Sequence, residues 1–226
     1  MYRIAAICAF LSVITTIGIH SFISGPATFD GLLQVYSSFE YVFSKWWIIL
    51  HCLFVIIAAY GISYYLQEEG QRFAWLGFTF YSAFGLIEII RQFLVLGYMK
   101  MLRDQYLVAT DASIQQSLRM TMDNFDGIGT ALFGGFMLAI MLGNLFIGIA
   151  AKGCKSTDLL GTGLLIWAVV LAVAVVNIHF DFAWFNGFIR YFNLAYQPAI
   201  RLFLGVTLWK LASQHSFISR SPSGTT

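Results

Sequence analysis

The sequence places an acid and a base three residues apart in a segment that is otherwise apolar. Glu88 and Arg91 lie within Phe73 to Tyr98, and about ten residues separate Glu88 from the Tyr98 end. At about 1.5 Å per residue of helix, the Glu88 carboxyl lies roughly 15 Å deep, near the middle of a bilayer. An ionised side chain at that depth costs roughly 2.5–3.5 kcal/mol on insertion scales. We therefore expect basic or polar groups from adjoining helices to surround it.

The three-residue spacing allows Glu88 and Arg91 to pair directly on one face of a helix. Arg201, near the centre of a later apolar run, is a second candidate partner for the acid. Three interpretations fit the pattern: a closed structural ion pair, a polar ligand or ion pathway, and a catalytic carboxylate.

Other polar residues collect at a similar level if successive helices run in opposite directions. The candidate pocket residues are Glu88, Arg91, His51, His20, His179, Asp126 and Arg201. Histidines and carboxylates at one depth can bind a metal that lowers the pKa of a bound water and supports hydrolysis. These histidines are isolated on separate segments, without the spacings that place two ligands on one helix face. We predict no metal, no cofactor and no catalytic residue.

The elements that must position these residues are membrane helices. The chain has 226 residues, of which 59% are hydrophobic and 11% are charged, whereas soluble domains carry about 25% charged residues. Six apolar runs predict spans at Ile4–Ile23, Trp46–Leu66, Phe73–Met99, Ile128–Ala151, Leu159–Phe180 and Phe192–Leu211. The predicted fold is all-α, a polytopic bundle of six transmembrane helices in one domain, 1–212, followed by a polar tail, 213–226.

Two of the connecting segments have apolar residues at helical spacing. Residues 29–43 and 107–122 both predict amphipathic helices at the membrane surface, which cap the bundle or act as a lid. Basic residues are denser in the short connections, which favours both termini on the cytoplasmic side. The net charge of +2 gives no argument for a nucleic-acid partner.

The fourth apolar run carries small residues four apart, at Ala131, Gly135, Ala139 and Gly143. This spacing places them on one helix face and allows another helix to approach closely. The face fits either a homodimer interface or packing within the bundle, and packing is the preferred interpretation.

The third and fourth runs also carry two patterns that extend beyond single residues. One is Gly85-Leu-Ile-Glu88-Ile-Ile-Arg91; the other runs from Asn124-Phe-Asp-Gly-Ile-Gly-Thr-Ala-Leu-Phe-Gly-Gly135 through Gly143 to Leu160-Gly161. Together they resemble an uncharacterised family of six-span bacterial membrane proteins, known only as a domain of unknown function. The resemblance implies the six-helix fold and the bacterial inner membrane, and it supplies no activity.

A buried charged pair without a catalytic constellation favours a non-enzymatic membrane protein with a polar pocket in its outer half. Such a protein binds a small molecule or a lipid-like ligand, or serves as an accessory subunit, with the lipid bilayer as its main partner. A metal-dependent intramembrane hydrolase and a small oligomeric transporter are the alternatives.

Overall fold

Every regular element in the computed structural model is a helix, over the described residues 1–22, 28–180 and 183–218. A π-helical segment, Val95–Met99, joins the fourth helix to the fifth without a break. The prediction of an all-α fold is confirmed. The helices are α1 (Tyr2–Phe22), α2 (Phe29–Val35), α3 (Phe39–Glu68), α4 (Ala74–Leu94), α5 (Lys100–Val108), α6 (Ala112–Lys152), α7 (Asp158–Phe180) and α8 (Ala183–Ile218).

Five helical segments are long and apolar enough to cross a membrane, and they indicate a multi-pass integral membrane protein. They coincide with the first five predicted runs. The sixth run forms the middle of α8, where Pro198 and Arg201 interrupt the apolar side chains. Over the described residues, α8 does not reach the same apolar content, so the sixth span stays a prediction. The five segments are Tyr2–His20, Phe39–Glu68, Ala74–Val108, Ala112–Lys152 and Asp158–Asn177.

The C-terminal boundary differs from the prediction. The predicted polar tail begins at residue 213, whereas α8 continues to Ile218. Residues 219–226 of that tail, and Ile23 at the end of the first predicted span, lie outside the described residues.

The six long helices pack in a ring that follows their order in the chain. Contacts join α1 to α3, α3 to α4, α4 to α6, α6 to α7, α7 to α8, and α8 back to α1. The α7–α8 contact is the least extensive of these. We call the end with the short connections 69–73 and 153–157 the turn end, and the opposite end the loop end. Successive helices of the ring therefore run in alternate directions.

Hydrogen bonds between helices close the ring at the turn end. The Tyr2 hydroxyl, at the start of α1, donates to the Glu68 carboxylate at the end of α3. The Tyr65 hydroxyl lies 2.7 Å from the Ser156 hydroxyl in the α6–α7 connection. Side chains of α1, α3 and the α6–α7 connection are thus fixed relative to one another at this end.

Capping residues set helix starts that differ from the predicted interfacial helices. Ser38 Oγ accepts a hydrogen bond from the Tyr41 amide at 3.2 Å, so the chain from Phe39 onward belongs to α3. The Asp111 carboxylate accepts one from the Ser113 amide at 2.7 Å, and α6 runs unbroken from Ala112 to Lys152. One short helix, α2, and the beginnings of two long helices replace the two separate surface helices.

These segments form a small layer over the loop end. The ring of Phe29, in α2, meets Tyr106 of α5 edge-on with centroids 5.3 Å apart. Met99, Leu102 and Met122 form a buried apolar cluster with Phe29 packed against it. The layer ties α2 and α5 to the first turns of α6, which agrees with the interpretation that these segments cap the bundle.

Candidate functional site

A cavity of about 590 Å³ lies inside the ring towards the loop end. All six long helices contribute to its wall, and its volume falls in the range of roughly 300–1,000 Å³ found for ligand sites. The wall is apolar over most of its area, with polar groups at separate positions. The polar lining residues are Thr16, His20, His51, Glu88, Arg91, Asn177, Asn186, Asn193, Gln197 and Arg201; apolar ones include Phe84, Phe133, Phe136, Ile140, Leu171 and Phe185.

The cavity brings together most of the side chains predicted as pocket residues. Asp126, which is exposed on α6, is not among the lining residues. The side chain of His179 lies outside the described part of the structure. Whether the lining residues bind a ligand stays a prediction. The predicted residues that line the cavity are His20, His51, Glu88, Arg91 and Arg201.

The Glu88 carboxylate is buried, with 4% of the residue exposed, and it accepts three hydrogen bonds. Arg91 Nε donates to Oε2 at 2.9 Å and Arg91 Nη2 donates to Oε1 at 2.7 Å, a two-pronged ion pair. Gln92 Nε2 donates to Oε1 at 2.6 Å. The predicted pair therefore forms. These partners all lie on α4 itself, whereas we expected groups from adjoining helices.

Arg201 was expected as a second partner for Glu88, and no hydrogen bond or ion pair joins the two. Only 6% of Arg201 is exposed, and its Nε and Nη1 atoms have no hydrogen-bond partner in the described structure. Its guanidinium carbon lies 5.8 Å from the centre of the Trp167 ring, within reach of a cation–π contact. Arg201 thus carries a buried charge on the cavity wall without an acidic partner among the described residues.

His51 is buried on α3 and has a polar partner on another helix. Its Nδ1 atom lies 2.7 Å from Thr15 Oγ1 on α1. Thr15 Oγ1 also lies 3.0 Å from the Leu11 carbonyl oxygen, which accepts its proton. The bond holds the imidazole against α1 and leaves its other nitrogen on the cavity side of the ring.

A polar face on α8 was missed by the sequence analysis. Asn186, Asn193, Gln197 and Arg201 follow one another at intervals of seven, four and four residues, which places them on one side of a helix. Asn193 Oδ1 is buried without a hydrogen-bond partner among the described residues. This spacing in an otherwise apolar segment was a readable signal for the cavity wall.

An interhelical amide contact lies on the α7–α8 side of the cavity. Asn177 Nδ2 on α7 donates to Asn186 Oδ1 on α8 at 2.6 Å. Because α7 and α8 otherwise pack less extensively than the other neighbours, this bond helps to position the polar face of α8.

The described residues provide no ligand set for the hydrolase alternative. No group of three or more His, Cys, Asp or Glu side chains within them is close enough to hold a metal ion. One nitrogen of His51, Nδ1, bonds to Thr15, and Glu88 is held by Arg91 and Gln92.

The small-residue face of α6 is divided between two environments. Ala139 and Gly143 are buried, and a side-chain carbon added at Gly143 would lie 2.7 Å from the Tyr81 ring on α4. Ala131 and Gly135 are exposed. Half of the face therefore packs within the bundle, and a homodimer, which stays a prediction, has only the exposed half available.

Comparison of the chain with protein-family models, curated proteins and solved structures finds no match. The resemblance to a six-span bacterial family therefore stays a prediction, and the functional argument depends on the cavity itself.

Proposed function

We propose that this protein binds a small-molecule or lipid-like ligand in the cavity of its helix ring, without catalysing a reaction on it. The observation that carries the proposal is the cavity of about 590 Å³ with polar groups at a few positions on an apolar wall. That combination is the usual design of a ligand site: apolar surface supplies affinity and isolated polar groups fix orientation.

The arrangement of the polar groups supports binding over catalysis. Glu88 is occupied by Arg91 and Gln92, and one nitrogen of His51 bonds to Thr15. A general base must lie within hydrogen-bond reach of the proton that it removes. The hydroxyl beside His51 is that of Thr15, whose own proton goes to the Leu11 carbonyl oxygen, so it is not a nucleophile that His51 activates.

The proposal is tested by thermal unfolding of the purified protein in a non-ionic detergent. The probes are decanol, decanoate and decylamine, which share a chain and differ in charge. A ligand at a hundred times its Kd stabilises the folded state by about 2.7 kcal/mol. We expect at least one probe to raise the unfolding temperature in a saturable manner.

Two variants on α7 separate binding in the cavity from binding to the outer surface. Ala174→Trp fills the cavity, because Ala174 is buried on its wall, whereas the neighbouring Val173 is 39% exposed. The stabilisation should be lost in Ala174→Trp and kept in Val173→Trp. Absence of stabilisation by every probe, or an equal effect in both variants, would contradict the proposal.

We further propose that the turn end faces the cytoplasm in the bacterial inner membrane that the resemblance implies. The support is the density of basic residues in the short connections, where Arg72, Lys152 and Lys155 lie, because the two ends carry similar numbers of basic residues overall. A membrane-impermeant maleimide should label Asp111→Cys in intact cells with a permeabilised outer membrane, and Glu69→Cys only after lysis. The reverse pattern would contradict this orientation.

A further inference from the structure

The positively and negatively charged side chains on the described cavity wall are unequal in number. Among the described lining residues other than histidines, the acidic and basic side chains are Glu88, Arg91 and Arg201. Glu88 and Arg91 neutralise each other in a two-pronged pair. Arg201 remains, so the described wall carries one uncompensated positive charge. A buried unpaired charge is unfavourable, and its presence indicates that something else pairs with it when the protein functions.

Arg201 occupies the floor of the cavity. It also borders a second, smaller cavity of about 30 Å³ that lies deeper in the ring, next to Tyr81 and Trp167. Unlike the lysines in the turns, the Arg201 side chain is buried away from bulk water. An anion that reaches Arg201 through the larger cavity passes a wall that is mostly apolar.

The wall of this cavity fits a ligand with a large apolar part. Phe84, Phe136, Ile140 and Leu171 come from three different helices and present apolar surface to the same space. A guanidinium on the cavity wall without an acidic partner among the described residues attracts a carboxylate through charge and charge-assisted hydrogen bonding. A carboxylate also carries the single negative charge that balances the wall.

We propose that the ligand is an amphipathic carboxylic acid whose carboxylate pairs with Arg201 and whose apolar part lies in the cavity. This inference rests on the proposed binding function and adds the chemistry of the head group. Both a fatty acid and an aromatic acid have this chemistry.

The test compares acids with their uncharged esters on the intact protein in detergent, by isothermal titration calorimetry. The pairs are decanoate with methyl decanoate, and 2-naphthoate with methyl 2-naphthoate. A charge-assisted pair at a buried site corresponds to roughly a tenfold to hundredfold difference in affinity. We expect at least one acid to bind that much more tightly than its ester. The tighter acid then identifies a chain or a ring as the preferred body.

Substitutions on α8 assign the preference to one side chain. Arg201→Gln should reduce the affinity for the acid to that for the ester and leave ester binding unchanged. Arg201→Lys, which keeps the charge, should retain most of the preference for the acid over the ester. It serves as a second test if Arg201→Gln fails to fold. The matched control is Lys210→Gln, which removes an exposed charge from the same helix and should have no effect.

Three results would overturn the inference. Equal binding of acid and ester, or an equal loss of both in Arg201→Gln, removes the head-group assignment while the proposed binding function stands. Tighter binding of decyl phosphate than of decanoate assigns a different anion. Failure of every acid and ester to bind removes the inference together with the proposed function.

Discussion

At the turn end of the ring, polar side chains reach across to neighbouring helices, whereas the cavity side chains Glu88 and Arg201 form no such bond in the described structure. Tyr65 of α3 bonds to Ser156 in the α6–α7 connection, and Tyr2 of α1 bonds to Glu68 of α3. In the cavity, Glu88 is satisfied by residues of its own helix and Arg201 has no partner for two of its nitrogens.

Glycines show the same contrast. A side-chain carbon at Gly161 would lie 2.7 Å from the Lys152 amide nitrogen and 2.8 Å from the Gly148 carbonyl oxygen, so α6 and α7 touch through their backbones. A carbon at Gly135, nearer the loop end, would meet nothing within 4 Å. Tight packing at one end allows the other end to keep an open cavity. Such departures from full packing and full pairing are expected at functional sites.

The largest expected effect comes from breaking the ion pair in the cavity wall. Arg91→Met leaves the Glu88 carboxylate buried with one amide donor. Removing one partner of a fully buried pair costs about 3–5 kcal/mol, and the 30% exposure of the Arg91 side chain argues for about 3 kcal/mol or less. Equilibrium unfolding in mixed detergent measures it.

Arg72→Met is the control for that variant, because Arg72 is exposed in a turn and such changes cost within about 0.5 kcal/mol. A double variant with Glu88→Gln should recover part of the loss. An Arg91→Met protein as stable as the control would mean that the Glu88 carboxyl needs no cation.

The close approach at the turn end gives the next prediction. Gly161→Ala must push α6 and α7 apart, and overpacking of this kind costs typically about 1–3 kcal/mol. Gly135→Ala is the matched change on the same helix pair and should be neutral or stabilising by up to about 1 kcal/mol. Thermal unfolding of both variants measures the difference, and equal behaviour would show that the two ends are packed alike.

Removing the unpaired charge of Arg201 should stabilise the folded protein, whereas Arg91→Met and Gly161→Ala should destabilise it. Arg201→Met replaces a buried cation by an apolar side chain of similar length, and we expect the ligand-free protein to gain about 1 kcal/mol or more. Unfolding after exhaustive detergent exchange to remove bound lipid measures this. A loss of stability instead would mean that Arg201 holds the bundle together.

The smallest effect concerns the start of α6. Hydrogen bonds from Ser113 lower the pKa of Asp111 below its usual range. Its capping contribution is therefore complete above the ordinary aspartate pKa and is lost as the pH falls through the lowered value. Asp111→Asn should weaken this pH dependence. The protection of the amides in residues 112–115 against hydrogen exchange, relative to their intrinsic rates at each pH, should fall severalfold at low pH in the wild type, and unchanged protection would contradict the cap.

Features that depend on neighbouring residues within one helix could be predicted from the sequence. Apolar runs located the five spans, and the three-residue spacing of Glu88 and Arg91 located their pair, because both depend on neighbours along one helix. Helix starts were harder to place, since Ser38 and Asp111 act as caps and extend α3 and α6 into segments that also fit surface helices.

Contacts between helices could not be predicted from the sequence. The Thr15–His51 and Asn177–Asn186 bonds join residues on different helices, and their formation depends on rotation and depth, which hydropathy does not fix. For the same reason Arg201 was expected as a partner of Glu88, although no hydrogen bond or ion pair joins them in the described structure.

The most direct test of the account uses the tryptophan beside Arg201. Trp167 is 2% exposed, and its ring centre lies 5.8 Å from the Arg201 guanidinium carbon. Bromine quenches indole fluorescence at contact range, so 2-bromodecanoate, with bromine beside its carboxylate, should quench Trp167 at least twice as strongly as 10-bromodecanoate. The difference should vanish in Trp167→Phe. Equal quenching by the two acids, or stronger quenching by 10-bromodecanoate, would contradict the proposal that the carboxylate of the ligand binds beside Arg201.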